Sequence, residues 1–242
     1  MARQRIAAAL AVVILIIGAL PVATTHEARS ATDDARPVVL VAPVRGVVDL
    51  GLAPFVERVI READQEGAAA VVLDIDTLGG RLDAAVKIRD RMLASRVRTV
   101  AFVHPRAISA GALVALAASS VAVSGGSTIG AATPVQLQPD GAATAVDEKT
   151  VSYVRKEFRA TAESRGRPVE IAEAMVDADI DVPSLAPPGK LLTLTGEQAL
   201  DLGVADVRAA DLPALLRELG LGAADVQLRS PNWAERATGA VT

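Results

Sequence analysis

The chain has 242 residues, of which 51% are hydrophobic and 22% charged, and its formal net charge is −4. This composition supports a folded core, excludes a wholly disordered chain and gives no basic footprint for nucleic acid. The sequence has no Cys and only two His, His26 and His104. A disulfide scaffold, a thiol nucleophile and a zinc site made of Cys or several His are therefore excluded.

The first segment of the chain, residues 1–31, is typical of an export signal. Arg3 and Arg5 precede an uninterrupted apolar stretch, Ile6–Leu20, and small residues follow it. The stretch is short for a membrane span, so a cleaved signal peptide and an uncleaved anchor both stay open. In either case we expect the two Arg in the cytoplasm and the rest of the chain outside it.

After a polar linker, residues 32–36, strand signals alternate with helix signals. The predicted strands are Pro37–Val44, Ala68–Asp76, Arg98–His104, Val121–Ser124 and Val204–Val207, and the predicted helices are Pro54–Glu66, Leu82–Ala94, Ala110–Ser119, Asp147–Ser164, Pro168–Val176 and Asp211–Leu219. Thr133–Ala143, rich in Pro and Gly, predicts a mobile loop, and Thr195–Gln198 predicts a capping box ahead of a short helix. Because the strands are continuously apolar, we expect a layered α/β domain whose sheet is covered on both faces.

Two glycine-rich turns follow predicted strands, where open α/β sheets tend to build sites. The first contains Gly79 and Gly80, and glycines allow a backbone N–H to point into a cleft. The second, Ser124–Gly130, contains Ser127 and Gly130. Taken alone, the first segment is better explained by an ordinary strand-to-helix turn, and a plain loop explains the second segment equally well.

Ser109 lies between a strand and a helix of small residues, in the segment His104–Ala112. Serine is a preferred N-cap residue, which is one explanation of its position. The other is nucleophilic catalysis, since the free N–H groups of a helix start, including that of Ala110, favour a developing oxyanion.

A nucleophilic Ser109 needs a general base. His26 lies in the export segment, and His104 lies five residues before Ser109 on the preceding strand, so the sequence disfavours a Ser-His-Asp triad. Lysine can replace histidine when burial in an apolar pocket favours its neutral amine. Of the four lysines, Lys149 is the best placed because it opens the helix after the predicted loop, although its position also suits a solvated surface lysine.

Four motifs resemble, in the same order, the ClpP-class membrane-bound serine proteases of the NfeD family. They are Asp76–Gly80 (DTLGG), Ser109–Gly111 (SAG), Ser127–Gly130 (STIG) and Leu194–Asp206 (LTGEQALDLGVAD). The resemblance covers residues 37–207 and implies a ClpP/crotonase fold, a spiral of β-β-α units in a single domain. It also implies a Ser–Lys dyad and no metal or other cofactor.

The resemblance further implies the roles of individual residues. Ser109 corresponds to the nucleophile and Lys149, forty residues later, to the general base. The N–H groups of Gly79 and Ala110 correspond to the oxyanion hole, and the substrate-binding positions are Gly80, Ser127 and Gly130. Leu78 stands where the family usually has Pro, which loosens the turn before Gly79.

As a function, the resemblance implies an endopeptidase outside the cytoplasm that cleaves hydrophobic segments of membrane-associated proteins, such as stomatin-like proteins. It implies membrane association, a homodimer, a protease domain over residues 37–220 and a tail, 221–242, that leads towards a membrane segment in longer family members. One alternative is a protease like signal peptide peptidase A, and another is a non-catalytic membrane-associated scaffold. Crotonase-type acyl-CoA chemistry is disfavoured, because export separates the chain from CoA.

Overall fold

The computed structural model describes residues 36–138, 142–183, 185–187 and 189–240, so the predicted export segment lies outside the described residues. The strands are β1 (Val38–Val48), β2 (Ala70–Gly80), β3 (Thr99–Ile108), β4 (Ser120–Val123), β5 (Thr128–Gly130), β6 (Val135–Leu137), β7 (Ala143–Ala145), β8 (Thr193–Thr195), β9 (Val207–Arg208) and β10 (Asp225–Leu228). The helices are α1 (Leu52–Glu66), α2 (Leu82–Leu93), α3 (Ala110–Leu116), α4 (Glu148–Arg165), α5 (Val169–Ala174), α6 (Gly196–Asp201), α7 (Leu212–Glu218) and α8 (Trp233–Ala240). No helix within the described ranges is long and apolar enough to cross a membrane.

The main sheet is mostly parallel, in the order β10-β1-β2-β3-β4-β9. Near its end, β3 also pairs in parallel with β5, and β5 pairs in antiparallel fashion with β8. β1, β2 and β3 pair in parallel. β2 ends with Gly79 and Gly80, and β3 ends at Ile108, directly before Ser109. This arrangement brings the carboxyl end of β2 beside the carboxyl end of β3.

Both faces of the sheet are covered, as the continuous apolar strands predict. Along β1, Leu40 and Ala42 belong to a large core with α1, α2, α3 and α4, whereas Val39 and Val41 belong to a smaller core with α7. Successive residues of a strand point to opposite faces, so a strand buried on both faces must be apolar at every position. The predicted mixed α/β fold is therefore confirmed.

The ends of several helices follow the predicted chemistry. The capping box is present: Gln198 N donates to Thr195 Oγ1 at 3.2 Å, and Thr195 N donates to Gln198 Oε1 at 2.9 Å. Asp147 caps α4 by accepting a hydrogen bond from Thr150 N at 2.9 Å. The long helices agree with prediction to within two residues at either end, because caps and apolar spacing are local signals.

The segment expected to be a mobile loop, Thr133–Ala143, contains β6, which pairs with β7 as a hairpin, and residues 139–141 lie outside the described residues. Val135 pairs with Ala145, and Gln138 N donates to Ala142 O at 2.8 Å. Each strand has only three residues, too few for a period-2 pattern to stand out. The hairpin matters for the site, because β6 forms one of its walls.

The last described residues form β10 and α8, where the sequence predicts only a tail. β10 extends the sheet by pairing in parallel with β1. On α8, the Glu235 carboxylate accepts two hydrogen bonds from Arg58 of α1, at 2.7 and 3.0 Å. A Cβ on Gly51 would lie 2.2 Å from Glu235 O, so the glycine allows α8 to approach the start of α1.

Candidate active site

Ser109 occupies a sharp turn between β3 and α3. Its φ of 56° is unusual for a residue with a side chain. Ser109 N donates to Gly130 O at 2.9 Å, and Ser109 O accepts from Ala112 N at 2.9 Å. These two bonds hold the turn in a conformation that the Ser109 side chain alone disfavours.

The glycine turn at the end of β2 packs directly against Ser109. A Cβ on Gly79 would lie 2.6 Å from Ser109 Cβ, and a Cβ on Gly80 would lie 2.2 Å from Val48 O. Their φ values are +117° and +156°. Both glycines are therefore required, by close approach and by backbone conformation.

A cleft of about 620 Å³ opens beside Ser109. Buried side chains from two helices form part of its wall, namely Leu113 of α3 with Val154 and Phe158 of α4. Exposed apolar side chains also line it, namely Val47, Leu78 and Val135. The other lining residues are Gly80, Arg81, Leu82, Ala110, Ala132, Thr133, Pro134 and Gln136.

The lining of the cleft offers little charge to a ligand. Arg81 is the one charged side chain among the described residues that line it, and its guanidinium donates to both oxygens of Asp83, at 3.0 and 2.9 Å. That hydrogen bond raises the pKa of Arg81 and lowers the pKa of Asp83. An apolar, extended segment is thus the kind of ligand that the cleft suits.

Three of the predicted site residues line this cleft, namely Ser109, Ala110 and Gly80. Gly79 lies directly against Ser109, and its N–H donates to Thr77 Oγ1 at 2.9 Å. Before the Gly79 N–H could donate to an oxyanion, its hydrogen bond to Thr77 Oγ1 would have to break. Gly80, in contrast, borders the cleft.

Ser127 and Gly130 are not among the residues that line the cleft. Gly130 supports the site from behind through its hydrogen bond to Ser109 N. Ser127 is buried beneath α6, where its carbonyl accepts from Gly196 N at 2.8 Å. A Cβ on Gly196 would lie 2.5 Å from Ser127 Oγ. In this structure the two residues shape the turn behind Ser109.

Lys149 is an exposed residue in the first turn of α4 and does not line the cleft in this structure. The same helix contributes Val154 and Phe158 to the cleft wall. Lys156, further along α4, is committed to an ion pair in which its Nζ lies 3.1 Å from Glu173 Oε1.

His104 does not line the cleft, and its side chain contacts Phe102 and Asp74 instead. Its ring stacks on Phe102 with 5.1 Å between centroids, and its Nδ1 lies 4.0 Å from Asp74 Oδ1. The described residues also contain no group of three or more His, Cys, Asp or Glu side chains that could hold a metal ion.

Three residues of the site were not predicted from the sequence, namely Thr77, Val154 and Phe158. Thr77 belongs to the DTLGG motif, and a hydroxyl two residues before a glycine is a known turn signal that could have singled it out. No local signal identifies Val154 and Phe158, because their apolar spacing on α4 predicts only a buried face.

The family described as "NfeD1b, N-terminal domain" matches residues 38–229 of this chain. Membrane protein NfeD1b of Bacillus subtilis is 35% identical over 199 residues, which cover 82% of this chain and 45% of that protein. Membrane-bound protease PH1510 of Pyrococcus horikoshii is 31% identical over 188 residues, which cover 76% of this chain and 40% of that protein. The chain thus spans less than half the length of these two relatives.

Solved structures share the fold. The 1510-N membrane-bound stomatin-specific protease, in a Lys-to-Ala variant with a substrate peptide, matches with a TM-score of 0.74 and 26% identity, over 86% of this chain and 98% of that one. ClpP1 from Listeria monocytogenes matches with a TM-score of 0.55 and 16% identity, over 72% of this chain and 94% of that one, which shows a common fold alone. The fold is therefore ClpP-like, and the chain belongs to the NfeD1b family, matching its N-terminal domain.

Proposed function

We propose that the chain is a serine endopeptidase that acts outside the cytoplasm, in association with the membrane and as a homodimer. The observation that carries this proposal is the Ser109 turn, held with a positive φ between Gly79 and Gly130 at the edge of an apolar cleft. Backbone strain of this kind is maintained where a site requires it. The relatives support the proposal, because one is named a membrane-bound protease.

In the proposed reaction, Lys149 acts as general base and Ser109 as nucleophile. The Ser109 hydroxyl gives its proton to the neutral Lys149 amine, and Oγ forms a bond to the carbonyl carbon of the substrate. The C–N bond then breaks, and the leaving amine takes the proton from Lys149. A water molecule gives a proton to Lys149, attacks the acyl-enzyme and releases the acid, and Ser109 recovers its proton.

The oxyanion requires N–H donors on the cleft side of Ser109. Ala110 supplies one, because it lies in the first helical turn, where N–H groups have no acceptor within the helix. The glycine turn supplies the other. Gly80 borders the cleft. The Gly79 N–H already donates to Thr77 Oγ1 and would have to give up that hydrogen bond to bind the oxyanion. We therefore favour Gly80 over Gly79 as the partner of Ala110.

The assignment of Lys149 draws support from spacing in the relatives. Solved variants of the 1510-N protease replace a serine or a lysine with alanine, at positions 41 apart. In this chain, Ser109 and Lys149 are forty positions apart. Lys149 is exposed here, so we propose that a bound substrate covers it and thereby favours its neutral amine.

The proposed substrates are hydrophobic segments of membrane-associated proteins, stomatin-like proteins among them. The apolar cleft wall supports this class, since Arg81 is paired with Asp83 and leaves no free charge among the lining residues. One structural relative is named a stomatin-specific protease. Signal peptides share the apolar character and form the natural comparison substrates.

The decisive test is a digest of an apolar peptide library, with stomatin-derived and signal-peptide sequences included, analysed by mass spectrometry. We expect S109A and K149A each to lower the cleavage rate at least about 10³-fold, since members of a catalytic unit act together. K156A is the matched control on the same helix, because Lys156 pairs with Glu173, and it should cleave like the unmodified chain.

Each outcome separates the hypotheses. Cleavage by S109A contradicts the nucleophile, and cleavage by K149A with none by S109A contradicts the dyad while keeping a serine enzyme. If the unmodified chain neither cleaves the library nor reacts with a fluorophosphonate, the non-catalytic scaffold is the better description.

A further inference from the structure

Thr77 is a buried residue in β2, two positions before Gly79, and only 2% of its surface is exposed. Its hydroxyl makes two strong hydrogen bonds: Oγ1 donates to Gly46 O at 2.5 Å and accepts from Gly79 N at 2.9 Å. Gly79 O lies further from Oγ1, at 3.3 Å. Because a hydroxyl has a single proton, the shorter contact to Gly46 O takes it.

The acceptor of that proton belongs to an irregularity in β1. The pairing of β1 with β2 shifts register between Arg45 and Val47, and Gly46 lies between them with a φ of +76°. A bulge of this kind leaves a backbone group without its ladder partner. The Thr77 hydroxyl satisfies the Gly46 carbonyl, which links the bulge to the glycine turn.

The methyl group of Thr77 contacts the other half of the site. A Cβ on Gly111 would lie 2.4 Å from Thr77 Cγ2, so the methyl group rests against the first turn of α3. That turn begins directly after Ser109. One side chain therefore contacts both the strand that ends in the glycine turn and the helix that follows the nucleophile.

We infer that Thr77 is a positioning residue: its hydroxyl, bonded to both Gly46 O and Gly79 N, holds the Gly79–Gly80 turn, so that the oxyanion donor of this turn stays at a constant distance from Ser109 Oγ. This inference rests on the proposed function, since it concerns the donors of that reaction. Thr77 itself lies behind the turn and acts through Gly79. Preorganised donors accelerate a reaction only when they are already aimed at the developing charge.

A fluorophosphonate probe tests the inference without knowledge of the substrate. Ser109 Oγ forms a bond to phosphorus, fluoride leaves with the bond electrons, and the hydroxyl proton passes to the base. The phosphoryl oxygen occupies the place of the oxyanion, so the maximal labelling rate, kinact, reports on the donors, whereas KI reports on binding of the probe.

The variants separate the two sides of the Thr77 side chain. T77V keeps the shape and removes the hydroxyl, and we expect kinact to fall at least about tenfold, with KI within twofold; direct loss of an oxyanion donor costs about 10²-fold to 10³-fold. T77S keeps the hydroxyl and should retain kinact within threefold. All rates are divided by the folded fraction measured by circular dichroism.

T99V is the matched control. Thr99 is also buried, its Oγ1 accepts from Ser119 N at 3.1 Å, and it begins β3, about 30 Å of strand away from Ser109. Loss of that hydroxyl should lower stability and leave kinact unchanged. A purely structural role for Thr77 predicts that T77V and T99V behave alike, which would overturn the inference.

The remaining outcomes are also decisive. If the folded, unmodified chain neither cleaves the apolar peptide library nor reacts with the probe, the proposed function fails and this inference fails with it; if it cleaves without reacting, the single-turnover cleavage rate takes the place of kinact. If it reacts and S109A does not, equal kinact values for T77V and the unmodified chain overturn the positioning role alone. Should T77V not fold, a tenfold fall of kinact in folded T77S overturns the role, and a value within threefold supports it.

Discussion

At the scale of single residues, the unusual feature is the backbone of Ser109. A residue with a Cβ pays a free-energy cost of about 1–3 kcal/mol for a sparsely populated conformation with positive φ. Here the turn persists because Gly130 O accepts the Ser109 N–H and Gly79 leaves room for the Ser109 side chain. Glycine adopts the same φ without that cost.

We therefore predict that S109G is more stable than S109A by about 1 kcal/mol, because the relief of strain exceeds the extra entropy of glycine in the unfolded chain. Urea unfolding followed by circular dichroism measures the difference. A matched pair at Ser164, S164G and S164A, should show the opposite order, since this residue lies inside α4. If S109G is the less stable variant, the turn is not strained.

At the scale of elements, α8 docks on α1 through one buried carboxylate. Glu235 accepts from Arg58 and also from Asn232 N, the latter at 2.7 Å. The hydrogen bond from Arg58 lowers the pKa of Glu235, and burial opposes this only in part. A carboxyl group whose pKa is lowered by folding stabilises the folded state above its unfolded pKa, and the contribution disappears as pH falls through the lowered value.

We predict that α8 stays docked at neutral pH and separates from α1 as pH falls through the lowered pKa of Glu235, below the ordinary pKa of glutamate. E235Q should undock α8 at pH 7, because hydrogen bonds to charged groups contribute about 1.5–3 kcal/mol. Trp233 is the sole tryptophan, lies on α8 and is 78% exposed, so its fluorescence anisotropy should drop on undocking.

E197Q is the control for that measurement. Glu197 pairs with Arg208 on the surface, with both side chains largely exposed, and such pairs contribute little to stability. The anisotropy of E197Q should match that of the unmodified chain at pH 7. An unchanged anisotropy in E235Q would contradict the docking by Glu235.

At the scale of the whole molecule, the sheet extends beyond the domain limit predicted at residue 220. β10 covers the edge of β1, Arg229 N donates to Val41 O at 2.8 Å, and Arg229 Nε lies 3.1 Å from Glu62 Oε2. Without these contacts β1 becomes an open edge strand, which invites pairing with other chains.

We predict that a chain ending at Gly220 loses at least about 3 kcal/mol of unfolding free energy, because several hydrogen bonds of about 1 kcal/mol each are removed. Urea unfolding checks the loss, and sedimentation checks for association through the exposed edge. A chain ending at Ala240 is the control. An unchanged urea midpoint after truncation at Gly220 would show that the predicted domain limit was correct.

Local patterns predicted the principal elements because each depends on near neighbours. The capping box at Thr195, the apolar spacing of α1 and the continuous apolar run of β2 are readable from a few adjacent residues. The short strands β5, β8 and β10 escaped prediction, because three or four residues carry no clear period and pair only once another strand lies beside them.

The sequence by itself determined the layered fold and, through the scarcity of His and Cys, pointed to Ser109 as a nucleophile with a lysine as base. Only the tertiary structure decided that Gly130 holds the Ser109 backbone, that the Thr77 hydroxyl donates to Gly46 O, and that α3, α4 and β6 enclose an apolar cleft. The physical reason is separation along the chain: these contacts join residues that are distant in sequence, and no local window contains both partners.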